Sequence, residues 1–250
     1  MTATEEALPT AVRRPVWRRL MRATGTALVV LGVGALAWSA VVWLWQDPFT
    51  AVYTRWQQHR LAASYDRVVE HYRPLHPVTT RKAPVTVAVE RRLVHREAAA
   101  FRRQAHVGGP IGRIDVPRLG LHMVLVNGTD HDSLVKGPGR DSRTFMPGEG
   151  QLVYVAGHRT TYLAPFAHID SLRAGDRITL RMPYATFVYA VTGHVIVDAH
   201  DLGVLRSHNR EVLALQACHP RFFATHRYIV WAKPVSVTLP NGRSYRPRVG

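Results

Sequence analysis

Residues 23–46, ATGTALVVLGVGALAWSAVVWLWQ, carry no charged side chain. A helix rising 1.5 Å per residue needs about 20 apolar residues to cross a hydrocarbon core of about 30 Å, and this run supplies them. Gly25, Gly32 and Gly34 weaken a soluble helix but are common in spanning ones, and Trp38, Trp43 and Trp45 crowd toward one end, where indole favours the interface. No polar face exists anywhere in the run, which argues against a core helix of a soluble domain. A cleaved signal sequence is the competing reading, since Ser39 and Ala40 are small; the apolar run continues past them to Trp45 and favours a retained anchor. Arg13, Arg14, Arg18, Arg19 and Arg22 precede the run, whereas Arg55 and Arg60 are the basic residues soon after it. The positive-inside rule then places residues 1–22 in the cytoplasm as a basic tail and the rest of the chain outside the cell membrane, held by a single pass.

Residues 47–106 have the character of an extracytoplasmic stalk or linker. Thr54–Tyr72 spaces its apolar residues helically, Pro74, Pro77 and Pro84 interrupt, and Glu90–Gln104 forms a second helical stretch. Its arginines suit anionic lipid headgroups or a solvated spacer.

Residues 107–250 are all-β in pattern. Short runs rich in Val, Ile, Tyr and Phe recur at Gly112–Val116, Met123–Val126, Gln151–Ala156, Arg177–Met182, Thr186–Val191, His194–Val197, Glu211–Ala217 and Tyr228–Ala232, with a further run at Ser236–Leu239. Gly, Pro, Asn and Asp separate them. Such strands predict a closed barrel or a sandwich, with short helices near Asp130–Val135 and Ala164–Leu172.

Two of these runs carry the chemistry. Gln151–Ala156 is apolar on both faces, so a central strand is expected, and it leads through Gly157 to His158. Glu211–Ala217 is similar and leads directly to Cys218, the chain's one cysteine, which therefore forms no intramolecular disulfide. If the strands are neighbours, a thiol and an imidazole meet at one rim, the minimum for an activated nucleophile. Acyl transfer also needs a fixed donor for the oxyanion, and Arg221 and Arg227 are the nearby candidates; Arg227 opens a strand and is the more rigidly held. A buried structural thiol is the bland alternative. His158, Cys218 and His219 could also be metal ligands, but no C-x-x-C or H-x-x-x-H spacing supports a site, and no metal or cofactor is expected.

An ordered set of motifs resembles the sortase family, class E sortases in particular. The set runs Ile114-Asp-Val-Pro-Arg-Leu-Gly120, Lys136-Gly-Pro-Gly139, Ala156-Gly-His-Arg-Thr-Thr-Tyr162 with Pro165-Phe166, Leu172-Arg-Ala-Gly-Asp176, and Leu215-Gln-Ala-Cys-His-Pro-Arg-Phe222 with Arg227. The resemblance implies an eight-stranded sortase-type β-barrel as the catalytic domain. It also implies a cysteine transpeptidase with Cys218 as nucleophile, His158 as acid/base partner and Arg227 as oxyanion stabiliser. Such enzymes cleave a C-terminal LPXTG- or LAXTG-like sorting signal of a secreted protein after its threonine. The resulting thioester passes the acyl group to an amine of a cell-wall precursor or a pilin lysine. Thr160, Thr161 and Tyr162 would help shape the substrate pocket. The family usually has threonine before the cysteine; Ala217 stands here instead.

The net charge of +16 at pH 7 invites a polyanionic partner. No zinc-finger spacing, RNP-like motif or phosphate-binding glycine loop accompanies it, so nucleic acid is not expected. Membrane lipid and an arginine-rich composition account for the charge. Two other functions compete with the sortase reading. One is a catalytically weak or dead membrane-anchored scaffold that binds wall polymer. The other is an L,D-transpeptidase-like enzyme, disfavoured because Cys218 follows Gln-Ala rather than an S-H-G run.

Overall fold

The computed structural model describes residues 16–44, 48–75 and 86–247, which fall into two compact units divided after Trp45. Arg13, Arg14, Trp45, Pro77 and Pro84, used above, lie outside the described residues.

The first unit is helix α1, Val16–Leu44. It starts seven residues before the uncharged run, so Arg18, Arg19 and Arg22 occupy its first turns. Trp17–Val41 is long and apolar enough to cross a membrane, with mean hydropathy 1.7 and none of its hydrophobic window buried by protein. Two of its hydroxyls bond within the helix: Thr24 Oγ1 donates to the Leu20 carbonyl at 3.0 Å and Ser39 Oγ to the Ala35 carbonyl at 2.9 Å.

The second unit begins with α2, Pro48–His71, and α3, Val87–Gln104. Nine strands and a short helix follow: β1 (Pro110–Val116), β2 (Leu121–Asn127), α4 (His131–Leu134), β3 (Gly139–Arg140), β4 (Leu152–Ala156), β5 (Arg177–Arg181), β6 (Thr186–Asp198), β7 (Val212–His219), β8 (His226–Thr238) and β9 (Ser244–Tyr245). The strand order β6-β5-β1-β2-β3-β4-β7-β8 closes on itself through β6–β8 pairing, giving an eight-stranded barrel. β9 extends the β8 edge. Two neighbouring pairs, β2–β3 and β4–β7, run parallel and the others antiparallel. The expected strands 186–191 and 194–197 are one strand, β6, because a register shift between Val191 and Gly193 absorbs the break without ending the ladder. Tyr228–Ala232 and Ser236–Leu239 likewise merge into β8.

Alternation along the strands fills the barrel. Val153 and Val155 of β4, Leu213, Leu215 and Ala217 of β7, and Tyr228, Val230 and Ala232 of β8 join one core with Ile114, Phe166, Ile178 and Phe187. The intervening residues Leu152, Tyr154, Ala214 and Ile229 form a second cluster on the outer face of the same wall. Asp130 caps α4 by accepting from Ser133 N at 3.0 Å.

The helices of the expected stalk pack on the barrel. Val94, Ala98 and Phe101 of α3 belong to the main core, and Leu61 and Tyr65 of α2 pack with Val124 and Val126. Gln58 of α2 brackets β2, accepting from Val124 N at 2.7 Å and donating to the Val124 carbonyl at 3.1 Å. A chain starting at residue 107 is therefore expected to melt roughly 10 °C below one starting at 48, since losing a buried Phe alone costs about 3 kcal/mol. Calorimetry of the two would check this.

Candidate active site

Strand β7 is bonded on both sides, to β4 in parallel and to β8 antiparallel. On the β8 side Cys218 pairs directly with Arg227. Directly opposed residues hold their Cβ atoms about 5 Å apart on one face of a sheet, so thiol and guanidinium stems stand side by side. On the β4 side Ala156 pairs with Gln216, and Gly157 N donates to the Gln216 carbonyl at 3.0 Å. β4 then leads through Gly157 to His158, at the same end of the wall as Cys218. Strand register thus sets Cys218 beside Arg227 and brings the chain that carries His158 to the same rim. Cys218 and Arg227 share the parity of Tyr154, Ala214 and Ile229, so the site lies on the outer face of the wall, at the strand ends.

The loop after β4 is tightly built. Gly157 allows a close approach, because a Cβ there would lie 2.7 Å from the Phe166 ring. Phe166 N returns to the His158 carbonyl at 3.1 Å and Ala164 N bonds the Thr161 carbonyl at 2.8 Å. Tyr162, Leu163 and Ala164 all have positive φ, at 54°, 61° and 38°, a costly run of left-handed conformations. Tyr162 N donates to Thr50 Oγ1 of α2 at 2.9 Å. The Tyr162 ring packs on His158 at 4.8 Å between centroids and meets His131 at 6.2 Å. Tyr162 thus borders the site, and Thr160 and Thr161 are half-buried in the same loop.

Burial pushes the His158 imidazole below its ordinary pKa, and the charge of His131 adds to the effect. At neutral pH the ring is therefore an uncharged base. Its Nε2 is buried and makes no hydrogen bond among the described residues. Cys218 is half-buried and is a free thiol. Arg227 is held by its own loop, Nη1 donating to the carbonyls of Ala224 at 2.7 Å and His226 at 3.0 Å. Arg221, the other arginine considered, has a buried Nε without a hydrogen bond and is not paired with Cys218. His219 is the next residue along β7 and turns to the opposite face, toward Tyr228 at 5.9 Å, away from the thiol. Ala217 also points into the core, fully buried, so the hydroxyl usual at this position would face the barrel interior rather than the thiol.

One residue escaped the sequence analysis as a site component. Arg159, four per cent exposed, clamps the two strand ends together. Its Nη1 donates to the Cys218 carbonyl at 3.3 Å and to His219 Nδ1 at 3.1 Å, its Nε to the Ala167 carbonyl at 3.4 Å, and Nη2 pairs with Asp170 at 2.8 Å. Arg159→Ala is expected to cost about 2 kcal/mol, roughly 4–8 °C in melting midpoint, as buried charge-assisted bonds are lost. Arg118→Ala, which breaks the more exposed pair with Asp176, should shift the midpoint less; thermal denaturation of both variants measures the difference.

Residues 114–235 match the family model of the sortase domain. The chain is 31% identical over 142 residues to sortase D of Bacillus subtilis (strain 168), covering 55% of this chain and 69% of that protein. It is 30% identical over 90 residues to sortase SrtE1 of Streptomyces coelicolor, covering 32% of this chain and 26% of that one. Among solved structures, the SrtA sortase from Actinomyces oris superposes with a TM-score of 0.51 at 28% identity, over 58% of this chain and 89% of that one. Closed barrel, strand-end thiol and these likenesses agree: the chain belongs to the sortase family of cysteine transpeptidases.

Proposed function

We propose that Cys218 is the nucleophile, His158 its acid/base partner and Arg227 the oxyanion donor of a sortase that cleaves an LPXTG- or LAXTG-like sorting signal after threonine. The observation that carries the proposal is the register of three adjacent strands, which sets Cys218 opposite Arg227 and leads β4 toward His158 at the same rim. In the resting site a neutral imidazole can take the thiol proton as sulfur attacks the threonine carbonyl. Arg227, anchored by two carbonyls, then offers its remaining N–H groups to the developing oxyanion. The imidazolium so formed protonates the departing amine, leaving a thioester. A second amine, from a cell-wall precursor or a pilin lysine, loses its proton to His158 and resolves the thioester. Thr160, Thr161 and Tyr162 border the space where the signal would lie. The class E assignment rests on the motif strings, with relatives from classes D and E among the similar proteins.

The same proposal orients the chain with residues 1–22 in the cytoplasm, the span at 23–46, a connecting segment at 47–106 and the catalytic domain at 107–250 outside the membrane. The helices of the connecting segment act as part of the folded unit, given their share of the buried core. Secreted proteins bearing sorting signals are then its substrates.

The full chain in neutral detergent, incubated with LPXTG- and LAXTG-type peptides and an amine, should form a covalent acyl-enzyme visible by mass. Cys218→Ala should form none, and His158→Ala and Arg227→Ala should each lose on the order of 100-fold or more in kcat/KM. Turnover surviving in Cys218→Ala would refute the assignment. The acid limb of kcat/KM should fall below pH 6.5, because activity is lost as His158 takes up a proton and its pKa is lowered in the fold. His131→Asn should move that limb upward in a pH–rate profile.

A further inference from the structure

A second concavity lies at the other end of the strands that carry the candidate site. Leu152, Val212 and Trp231, from the starts of β4 and β7 and the middle of β8, line a cavity of about 1160 Å³. Val212 is six residues before Cys218 on β7, about 20 Å away at 3.3 Å per residue.

The walls are strongly basic. Arg91, Arg92 and Arg96 come from α3, Arg206 and Arg210 from the segment before β7, and Lys233 from β8. All six are exposed, and none forms an ion pair with a carboxylate among the described residues. Glu211 also lines the cavity, but its carboxyl group is used internally. It accepts from Tyr189 Oη at 2.6 Å and from the backbone N–H groups of Gly148 and Gly150 at 3.1–3.2 Å. Val212, Trp231 and the largely buried Tyr245 add apolar and aromatic lining.

We propose that this cavity binds an anionic glycan, a polymer bearing phosphate or carboxylate groups on sugar or polyol units. Six cations drawn from three segments exceed what a single anionic group can use, and five are arginines, which engage phosphate and carboxylate bidentately. The cavity is larger than the usual range of about 300–1,000 Å³ for a small ligand. Its charges line a concave wall, the shape of a groove for a chain rather than of a face laid on a flat bilayer. Trp231, half-buried, offers an apolar surface to the C–H faces of a polyol or sugar backbone, while a nucleic-acid strand needs aromatic platforms in series for successive bases. Binding here leaves the Cys218 end open, so the enzyme can hold a polyanionic matrix and a peptide substrate together. The proposal stands apart from the assignment of the nucleophile.

The test uses the full chain in neutral detergent and a fluorescently labelled short poly(glycerol phosphate), read by anisotropy across a salt series. Arg92→Gln/Arg96→Gln/Arg210→Gln should weaken binding about tenfold or more and reduce the slope of log affinity against log salt by about three. The charge-matched Arg55→Gln/Arg67→Gln/Arg173→Gln, away from the cavity, should stay within about twofold, since exposed distant charges are screened. Peptide cleavage should be unchanged in both. Should the cavity triple melt early, Arg210→Glu, on an exposed loop, replaces it and should weaken binding at least about threefold. The proposal is overturned by undiminished binding in the cavity variant, equal loss in both triples, dextran binding as tightly as the polyanion, or matched oligothymidylate binding more tightly.

Discussion

The backbone ladder on either side of β7 is the constraint on which the site depends. A strand bonded along both edges cannot slide without breaking two sets of hydrogen bonds, and a one-residue slip would turn Cys218 into the core and His219 out. The parallel partner brings the histidine loop and the antiparallel partner brings the arginine. Each comes from a different stretch of sequence, yet their lateral spacing is set by the same backbone repeat. Arg159 adds side-chain cross-ties that backbone pairing cannot supply, joining the residue after His158 to the carbonyl of Cys218 and to His219.

Electrostatics then decides the protonation state. Among the described residues no carboxylate pairs with His158, and the charge that lowers its pKa alongside burial is that of His131. A partner carboxylate would stabilise an imidazolium; burial and His131 favour the neutral ring instead. The imidazole therefore rests as a neutral ring among its buried neighbours. The strained loop at Tyr162–Ala164 holds an aromatic ring against that imidazole, which limits the ring's rotation as well as its contact with water.

Much of this was legible in the residues. Gln151–Ala156 and Glu211–Ala217 are apolar on both faces because both faces of that wall are covered, and such runs announce central strands. That each ends in a reactive side chain was visible too. The pairing of Cys218 with Arg227 was not, since register depends on where the β7–β8 loop turns. Arg159 left no signal: one arginine among many, its clamp made to backbone carbonyls and to Asp170 eleven positions on. β3 and β9 are two residues each, too short for any period to show. The packing of α3 was masked differently. Val94, Ala98 and Phe101 have helical spacing, but Arg91, Arg92, Arg96, Arg102 and Arg103 around them dominate the composition and read as a solvated spacer.

Alternation along β7 separates two kinds of inheritance. Leu213, Leu215 and Ala217 answer to the packing of the barrel interior, while Gln216 and Cys218 answer to whatever docks outside. Neighbouring side chains are therefore constrained by different surroundings. A change at Ala217 therefore acts on the solidity of the barrel and one at Gln216 on its outer surface, although both side chains are near neighbours of the sulfur along the backbone.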